Sequence, residues 1–290
     1  MSVEDLMSED VPAEVFFEPV GDDSFTATPA TAGPWSPKLQ HGGPVSALVG
    51  RAFERHEPVP GTRVARVTVE ILGPVPVATL DVRVRVSRPG RRVTLLEGEV
   101  THEGRPVVRA SGWRILEAPK HLEPVVHAPV PPPRPAVTPP LGPWDGMHVT
   151  GYLAAMEWRP VHGSFAEPGP AAVWARSRIP LIAGEADTPL VRALTLADSA
   201  SGVGSQLDLS AWLIINTDLT VALHRDPVGA WLRMDASLDA SPGGSALCHA
   251  TLADTSGEVG RVLQTLLVDE RTPVQRISSR DTPPHLRVHE

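Results

Sequence analysis

Cysteine, aromatic residues and long apolar runs are what this chain most plainly lacks, and each gap removes a class of explanation. A single cysteine, Cys248, cannot close a disulfide within the chain, and no Cys/His spacing of the zinc-binding kind accompanies it. Aromatic residues make up 4% of the sequence, so the stacking platforms that grip single-stranded nucleic acid are not expected. Arginine greatly outnumbers lysine, but the arginines are dispersed and the formal net charge is −8, which leaves no clustered basic surface to neutralise phosphates. No stretch approaches the roughly 18 apolar residues of a membrane span, and the opening segment MSVEDLMSED is acidic and has no apolar targeting core. The expectation is a cytoplasmic protein with neither nucleic-acid nor membrane partners.

What the chain has in quantity is proline and glycine, 32 and 24 residues, and their placement repeats. Pro74-Val75 recurs as Pro227-Val228, Pro89-Gly90 as Pro242-Gly243, and Gly104 as Gly257, all at one offset. In both halves these turn residues punctuate strand-like runs. The chain therefore reads as two diverged copies of one unit. The same offset sets Asp198 opposite Val45 and Gln264 opposite Ser111, so the second copy carries polar groups where the first does not. That asymmetry marks the place to look for chemistry.

Within the first copy, Pro44 followed by Val45, Leu48, Val49 and Ala52 at i, i+3, i+4, i+7 predicts a helix over 44–56 with one apolar face. Gly50 would allow that helix to lie close to a sheet. Val67, Val69 and Ile71, then Val82, Val84 and Val86, alternate with polar residues and predict half-buried strands; Pro89-Gly90 and Glu103-Gly104 predict the hairpin turns that follow. A Pro-rich segment over 117–145 reads as a linker between an N-terminal unit, 1–116, and a C-terminal unit, 146–270. In the second unit strands are expected near 150–159 and 171–178. Thr188 as N-cap and Pro189 at the first position open a helix whose apolar side is Val191, Leu194 and Leu196-Ala197, ending at Gly202 or Gly204. Four more strands are expected near 216–225, 230–239, 245–254 and 258–268, and a polar tail over 271–290.

A helix wrapped by an antiparallel sheet, twice in one chain, resembles the double hotdog fold, an α+β architecture whose two sheets join into one. The runs Leu196-Ala197-Asp198-Ser199-Ala200-Ser201-Gly202, Asn216-Thr217-Asp218-Leu219-Thr220-Val221, His224-Arg225 and Val262-Leu263-Gln264 are similar to the acyl-CoA thioesterase II family, and His41-Gly42-Gly43 is similar to the aromatic-Gly-Gly of its first half. The resemblance implies hydrolysis of an acyl-CoA, or of an acyl-carrier thioester, by water. It implies no covalent intermediate and calls for no cofactor or metal. It puts an Asp, a hydroxyl and a Gln in the second unit, which fall on Asp198, Asn216 and Gln264. The sequence departs from the family at Asn216, where an amide replaces the hydroxyl; Thr217 and Thr220 are the neighbours that could supply one.

The residues themselves agree with this assignment. Asp198 sits among Leu194, Ala197 and Ala200, and Gln264 shares a strand face with Val262, Leu266 and Val268, so both are polar groups expected to point inward. Asp198 would take a proton from a water held by Gln264 and Asn216, while the amide of Gly43, with Gly42 and His41 at the start of the first helix, would receive the thioester carbonyl. Each residue also has a plainer reading: Asp198 satisfied by Ser199 or Ser201, Gln264 filling a sheet interior, Asn216 a turn residue, and Gly42-Gly43 a tight join from loop to helix. Two rival functions share the fold. A silent thioester-binding protein is favoured by Asn216, while a hydratase or dehydratase is disfavoured because no histidine lies near Asp198 in sequence. The esterase and kinase look-alikes, His41-Gly42-Gly43 and His224-Arg225-Asp226, lack the nucleophile elbow and the Gly-rich loop those enzymes need. Whole chains are expected to pair as a homodimer.

Overall fold

The computed structural model describes residues 11–125, 130–136, 147–164 and 167–271. In chain order the strands of the first half are β1 (Phe17–Pro19), β2 (Ser24–Ala27), β3 (Ala32–Gly33) and β4 (Ser36–Gln40); helix α1 (Gly42–Arg55) follows, then β5 (Thr62–Ile71), β6 (Thr79–Arg88), β7 (Val93–His102) and β8 (Arg105–Leu116). The second half has a single helical turn, α2 (Tyr152–Ala155), then β9 (Met156–Ser164) and β10 (Glu167–Ser177), followed by helices α3 (Pro189–Ala197) and α4 (Ala200–Val203). It closes with β11 (Trp212–Asn216), β12 (Asp218–Leu223), β13 (Leu232–Ala240), β14 (Ala246–Asp254) and β15 (Gly257–Glu270). The tail expected beyond Arg271 lies outside the described residues.

One antiparallel sheet runs through both halves in the order β1-β2-β6-β7-β8-β5-β12-β15-β14-β13-β10-β9, with β11 also on β15. The join is the β5–β12 pair, in which Val67 faces Val221 and Val69 faces Leu219, all buried. Because side chains alternate faces, these residues point to the core while Thr68 and Thr220 meet on the other face, their hydroxyls 3.0 Å apart. Pairing these strands removes two edges that would otherwise recruit other chains.

Helices α1 and α3 pack on the inner face of this sheet and run antiparallel to one another: the start of α1 meets the end of α3, and Gly50 meets Leu190 and Leu194. A Cβ at Gly50 would lie 2.3 Å from Leu194 Cδ1, so this glycine serves the helix–helix contact and not, as expected from sequence, helix–sheet contact. The far end of α1 is held from the sheet, where the buried Arg114 of β8 donates to the carbonyls of Phe53, His56 and Glu57. Phe53 and His56 carry orphan acceptors of the helix C-terminus, where a cation is favoured, and Glu57 is the residue just past it. Thr188 caps α3 as expected, accepting from the Val191 amide at 3.2 Å.

Other sequence expectations change as well: the strand expected near 150–159 begins only at Met156, after α2, and the helix expected to run to Gly202 or Gly204 is broken between Ala197 and Ala200. The offset that aligns the sheets would begin the second helix at Thr195, yet it begins at Pro189, so Asp198 is the C-cap of α3 and not the counterpart of Val45. The strand expected over 216–225 is broken at Thr217, because β11 continues on β15 while β12 turns to pair with β5 as well. That break sets Asn216 beside the helix seam.

Candidate active site

The seam where α1 begins and α3 ends gathers five of the six residues singled out from sequence around one carboxylate. Asp198, 7% exposed, sits at the joint between α3 and α4 with helical backbone angles. Its Oδ1 accepts from Asn216 Nδ2 at 2.7 Å and from Gln264 Nε2 at 3.1 Å. Gln264 is completely buried; its Nε2 also lies 3.3 Å from the Asp198 carbonyl and its Oε1 accepts from the Ser201 amide, so it ties the joint between the helices to β15. The two amides therefore grip the carboxylate itself. This leaves Oδ2 facing the start of α1, where His41 Nδ1 lies 3.2 Å away.

Gly42 and Gly43 are required by closeness, not by turn geometry, since neither has a positive φ. A Cβ at Gly42 would lie 2.8 Å from Asp198 Oδ2, and one at Gly43 would lie 2.2 Å from the Thr195 carbonyl oxygen. The plain backbone lets the positive end of the α1 dipole approach the carboxylate. Gly43 is the sixth residue, and its amide donates to His41 Nδ1 at 3.1 Å, so His41 is the N-cap of α1.

Tyr152 escaped the sequence reading. Its ring stacks on His41 with centroids 3.7 Å apart and planes 9° from parallel, and its hydroxyl meets the Thr195 carbonyl and Ser199 Oγ, both at 2.8 Å. Being the only tyrosine in the chain was the one signal for it. Burial pushes the Tyr152 hydroxyl well above its ordinary pKa, with a smaller upward push from Asp198, so it remains a neutral donor. Burial lowers the pKa of His41, opposed by the neighbouring Asp198 charge. Cys248, paired with Gln264 across the sheet, is pushed up to about 12 by burial and then by Asp198, which keeps the thiol protonated and poorly nucleophilic.

Of the two neighbouring threonines, Thr220 faces away on the outer side of the sheet, whereas Thr217 reaches the site's cavity with its hydroxyl directed to the Thr265 carbonyl at 3.1 Å. Arg225 lies elsewhere, in a two-pronged pair with the buried Asp254 that pins a turn. The cavity, about 310 Å³, opens from His41, Gly42, Asp198 and Asn216 and extends along Trp35, Leu39, Leu153, Leu209 and Leu213. A polar end and an apolar body suit a ligand with one reactive polar group on a hydrocarbon chain. Among the described residues no three His, Cys, Asp or Glu side chains converge to hold a metal ion, and no helix is long and apolar enough to cross a membrane.

Two helix-and-sheet units sharing one sheet, with a gripped carboxylate at the seam of their helices, define a double hotdog protein. Residues 31–115 match the model of the acyl-CoA thioesterase N-terminal domain and residues 128–268 that of the acyl-CoA thioesterase C-terminal domain, and the chain belongs to this family of thioester hydrolases. Solved structures with the same fold include a Novosphingobium aromaticivorans protein provisionally assigned as a thioesterase, with 22% identity, a TM-score of 0.67, and 88% of this chain and 99% of that one covered. The TesB protein of Mycobacterium avium subspecies paratuberculosis has 20% identity and a TM-score of 0.60 over 91% of this chain and 99% of its own. The acyl-CoA thioesterase II TesB2 of Mycobacterium marinum has 16% identity and a TM-score of 0.60 over 92% and 97%. No curated protein matches the chain.

Proposed function

We propose that this protein hydrolyses a fatty acyl-CoA, or the same acyl group on a carrier, with Asp198 drawing the proton from the attacking water. The observation that carries this reading is the polarity of the carboxylate: two amides hold Oδ1, while Oδ2 is the oxygen left to act beside an apolar cavity. In this scheme Asn216 and Gln264 orient the base, which explains how an amide can stand where the family has a hydroxyl. The α1 amides at Gly42 and Gly43 receive the carbonyl as charge develops on it. The two units are taken as 1–116 and 146–270, joined by the Pro-rich 117–145.

Release of free thiol from a panel of acyl-CoAs of increasing length tests the reaction, and Asp198→Asn tests the base. The isosteric amide keeps the packing and cannot take a proton, so a loss of about 10²–10⁴ in kcat is expected with unchanged melting behaviour. Retention of most of kcat would refute Asp198 as base, and no thiol release from any acyl-CoA or acyl-carrier substrate would favour the silent binder. A second reading, hydration of an enoyl thioester, gains from the His41–Asp198 contact, because the missing histidine comes from the other half of the chain. Loss of enoyl absorbance with the thioester intact would select it.

Whole chains are also proposed to pair. Leu247, Leu263 and Leu267 are exposed on the outer faces of the neighbouring strands β14 and β15, set around Thr265, and are the surface a second copy would cover. Sedimentation velocity at micromolar concentration should give a dimer, and Leu263→Lys a monomer.

A further inference from the structure

His41 Nδ1 stands between two neighbours that make incompatible demands on it. The Gly43 amide at 3.1 Å needs Nδ1 to be an acceptor, with its lone pair bare. Asp198 Oδ2 at 3.2 Å is also an acceptor, and two acceptors that close repel unless a proton lies between them. Only one hydrogen fits on Nδ1, so the two contacts alternate. When Nδ1 carries the proton, a small shift of the ring turns the 3.2 Å approach to Asp198 Oδ2 into a donated hydrogen bond, the carboxylate is ionised, and the Gly43 amide loses its intramolecular acceptor. That single arrangement meets both needs of thioester attack: an ionised Asp198 and an unengaged amide at the positive end of α1. In it the remaining lone pair of the imidazole is on Nε2. His41 lines the cavity, and no hydrogen bond among the described residues engages Nε2.

We propose that His41 is a catalytic residue, acting with Asp198 as a dyad built across the two halves of the chain in which His41 Nε2 is the atom that takes the proton from water. The proposal rests on the thioester-hydrolysis reading and refines the part given there to Asp198. Water oxygen bonds to the thioester carbon while its proton passes to Nε2, and the C=O electron pair moves onto the carbonyl oxygen beside the α1 amides. The C=O bond then re-forms, the C–S bond breaks, and the departing thiolate takes the proton from Nε2. The products are the acid and the free thiol, and His41 is again neutral with its proton on Nδ1. Asp198 holds the ring in this tautomer and stabilises the imidazolium between the two steps; Tyr152, stacked flat on the ring and anchored through its hydroxyl, fixes its plane. Asp198 and Tyr152 are the titratable groups that face the imidazole.

Three variants and one property of the unaltered protein test this. His41→Asn keeps a cap for α1 and a polar group near the Nδ1 position but has nothing at Nε2. The expected result is a loss of about 10²–10⁴ in kcat/KM, comparable to that of Asp198→Asn, with an unchanged melting curve. His41→Gln, which has a polar group nearer the Nε2 position but cannot act as a base, should be equally impaired. In the unaltered enzyme kcat/KM should fall on the acid side with the midpoint of an imidazole lowered by burial, and nitrogen-detected NMR of the imidazole should find the proton on Nδ1, shifting to Nε2 in Asp198→Asn. If Asp198→Asn is inactive while His41→Asn keeps activity within about fivefold, or the acid limb is that of a carboxylate alone, the dyad is refuted and Asp198 stands as sole base. If Asp198→Asn is active, the underlying reading of Asp198 fails as well.

Discussion

The helix pair has two ends built on one plan, and they differ in what surrounds them. At each end the N-cap side chain of one helix takes a first-turn amide and also touches a carboxylate by the last turn of the other. His41 does this with Gly43 and Asp198, and Thr188 does it with Val191 and Glu54. At the His41 end the carboxylate is gripped by neutral amides and looks into a cavity of about 310 Å³. At the Thr188 end the neighbours are charged: Arg51 donates twice to Glu185 at 2.7 Å, Arg55 lies 3.0 Å from the same carboxylate, and the space left is about 90 Å³. Amides orient a carboxylate without neutralising it, whereas guanidinium groups satisfy carboxylates and fill the space a substrate would need. On the proposed reading the first end is the one left open for a substrate, while ion pairs close the second.

Separating the halves breaks this comparison most completely. Because the His41 end takes His41, Gly42 and Gly43 from one half and Asp198, Asn216 and Gln264 from the other, residues 145–290 expressed alone should have no thioesterase activity. Exposure of the β12 edge should also make them poorly soluble. Adding residues 1–116 should restore activity by re-forming the β5–β12 pair. Titration of the whole chain with a non-hydrolysable acyl-CoA analogue should give one site per chain; two equivalent sites would mean that the Thr188 end also binds.

The glycines come next in size. Gly42→Ala would push its methyl into the Asp198 carboxylate, a side chain that can swing away from Asn216 and Gln264, so activity should fall about 10²-fold with the fold retained. Gly43→Ala meets backbone, the Thr195 carbonyl, and must pry the helices apart, costing about 1–3 kcal/mol of stability as well as activity. If thermal melting and thiol release show both variants equally destabilised, the Gly42 contact is packing alone.

These glycines show what could be read from the sequence and what could not. Strand positions were legible because burial imposes a period of two and Pro/Gly turns bound each run; Val67, Val69, Val262 and Leu266 point inward as their spacing requires. Thr188-Pro189 gave the start of α3 because cap chemistry is local. The repeat held for the sheet but not the helix, since the helices begin at different distances from their strands, and the pairing of Asp198 with Val45 was lost there. His41 as partner of Asp198 was invisible, because the contact spans the two halves and depends on the antiparallel helix crossing. Thiol chemistry at Cys248 was excluded by burial, which composition does not report.

At the closed end, Arg51→Met should leave kcat and KM unchanged and lower stability. Exposed ion pairs contribute about 0–1 kcal/mol and breaking buried ones costs about 3–5; with Arg51 14% and the Glu185 side chain 27% exposed, a loss of about 2 kcal/mol is expected. The two hydrogen bonds from Arg51, its charge and that of Arg55 hold the pKa of Glu185 below the ordinary carboxylate value, against the opposing effect of burial. A depressed folded pKa contributes stability above the unfolded value and loses it as pH falls through the folded one, so the deficit of Arg51→Met should be full near pH 7 and shrink below about pH 4. A deficit that persists in acid would assign the loss to the Phe25–Arg51 stacking instead.

Glu54 should behave in the opposite sense and by the smallest amount. Its pKa is raised chiefly by burial, offset in part by the bond from Thr188, so the folded protein prefers the neutral acid and ionising it near neutrality costs stability. Glu54→Gln keeps an oxygen to accept from Thr188 Oγ1 while removing the charge. With a folded pKa above the unfolded one, the cost is absent below the unfolded pKa and complete above the folded one. The variant should therefore melt slightly higher than the parent at pH 8 and at the same temperature below about pH 4. Thr188 has no imidazole to share a proton with Glu54, so activity should not follow this titration. If thiol release did change in Glu54→Gln, the two ends would be coupled through the helix pair, and the closed end would be part of how the open end works.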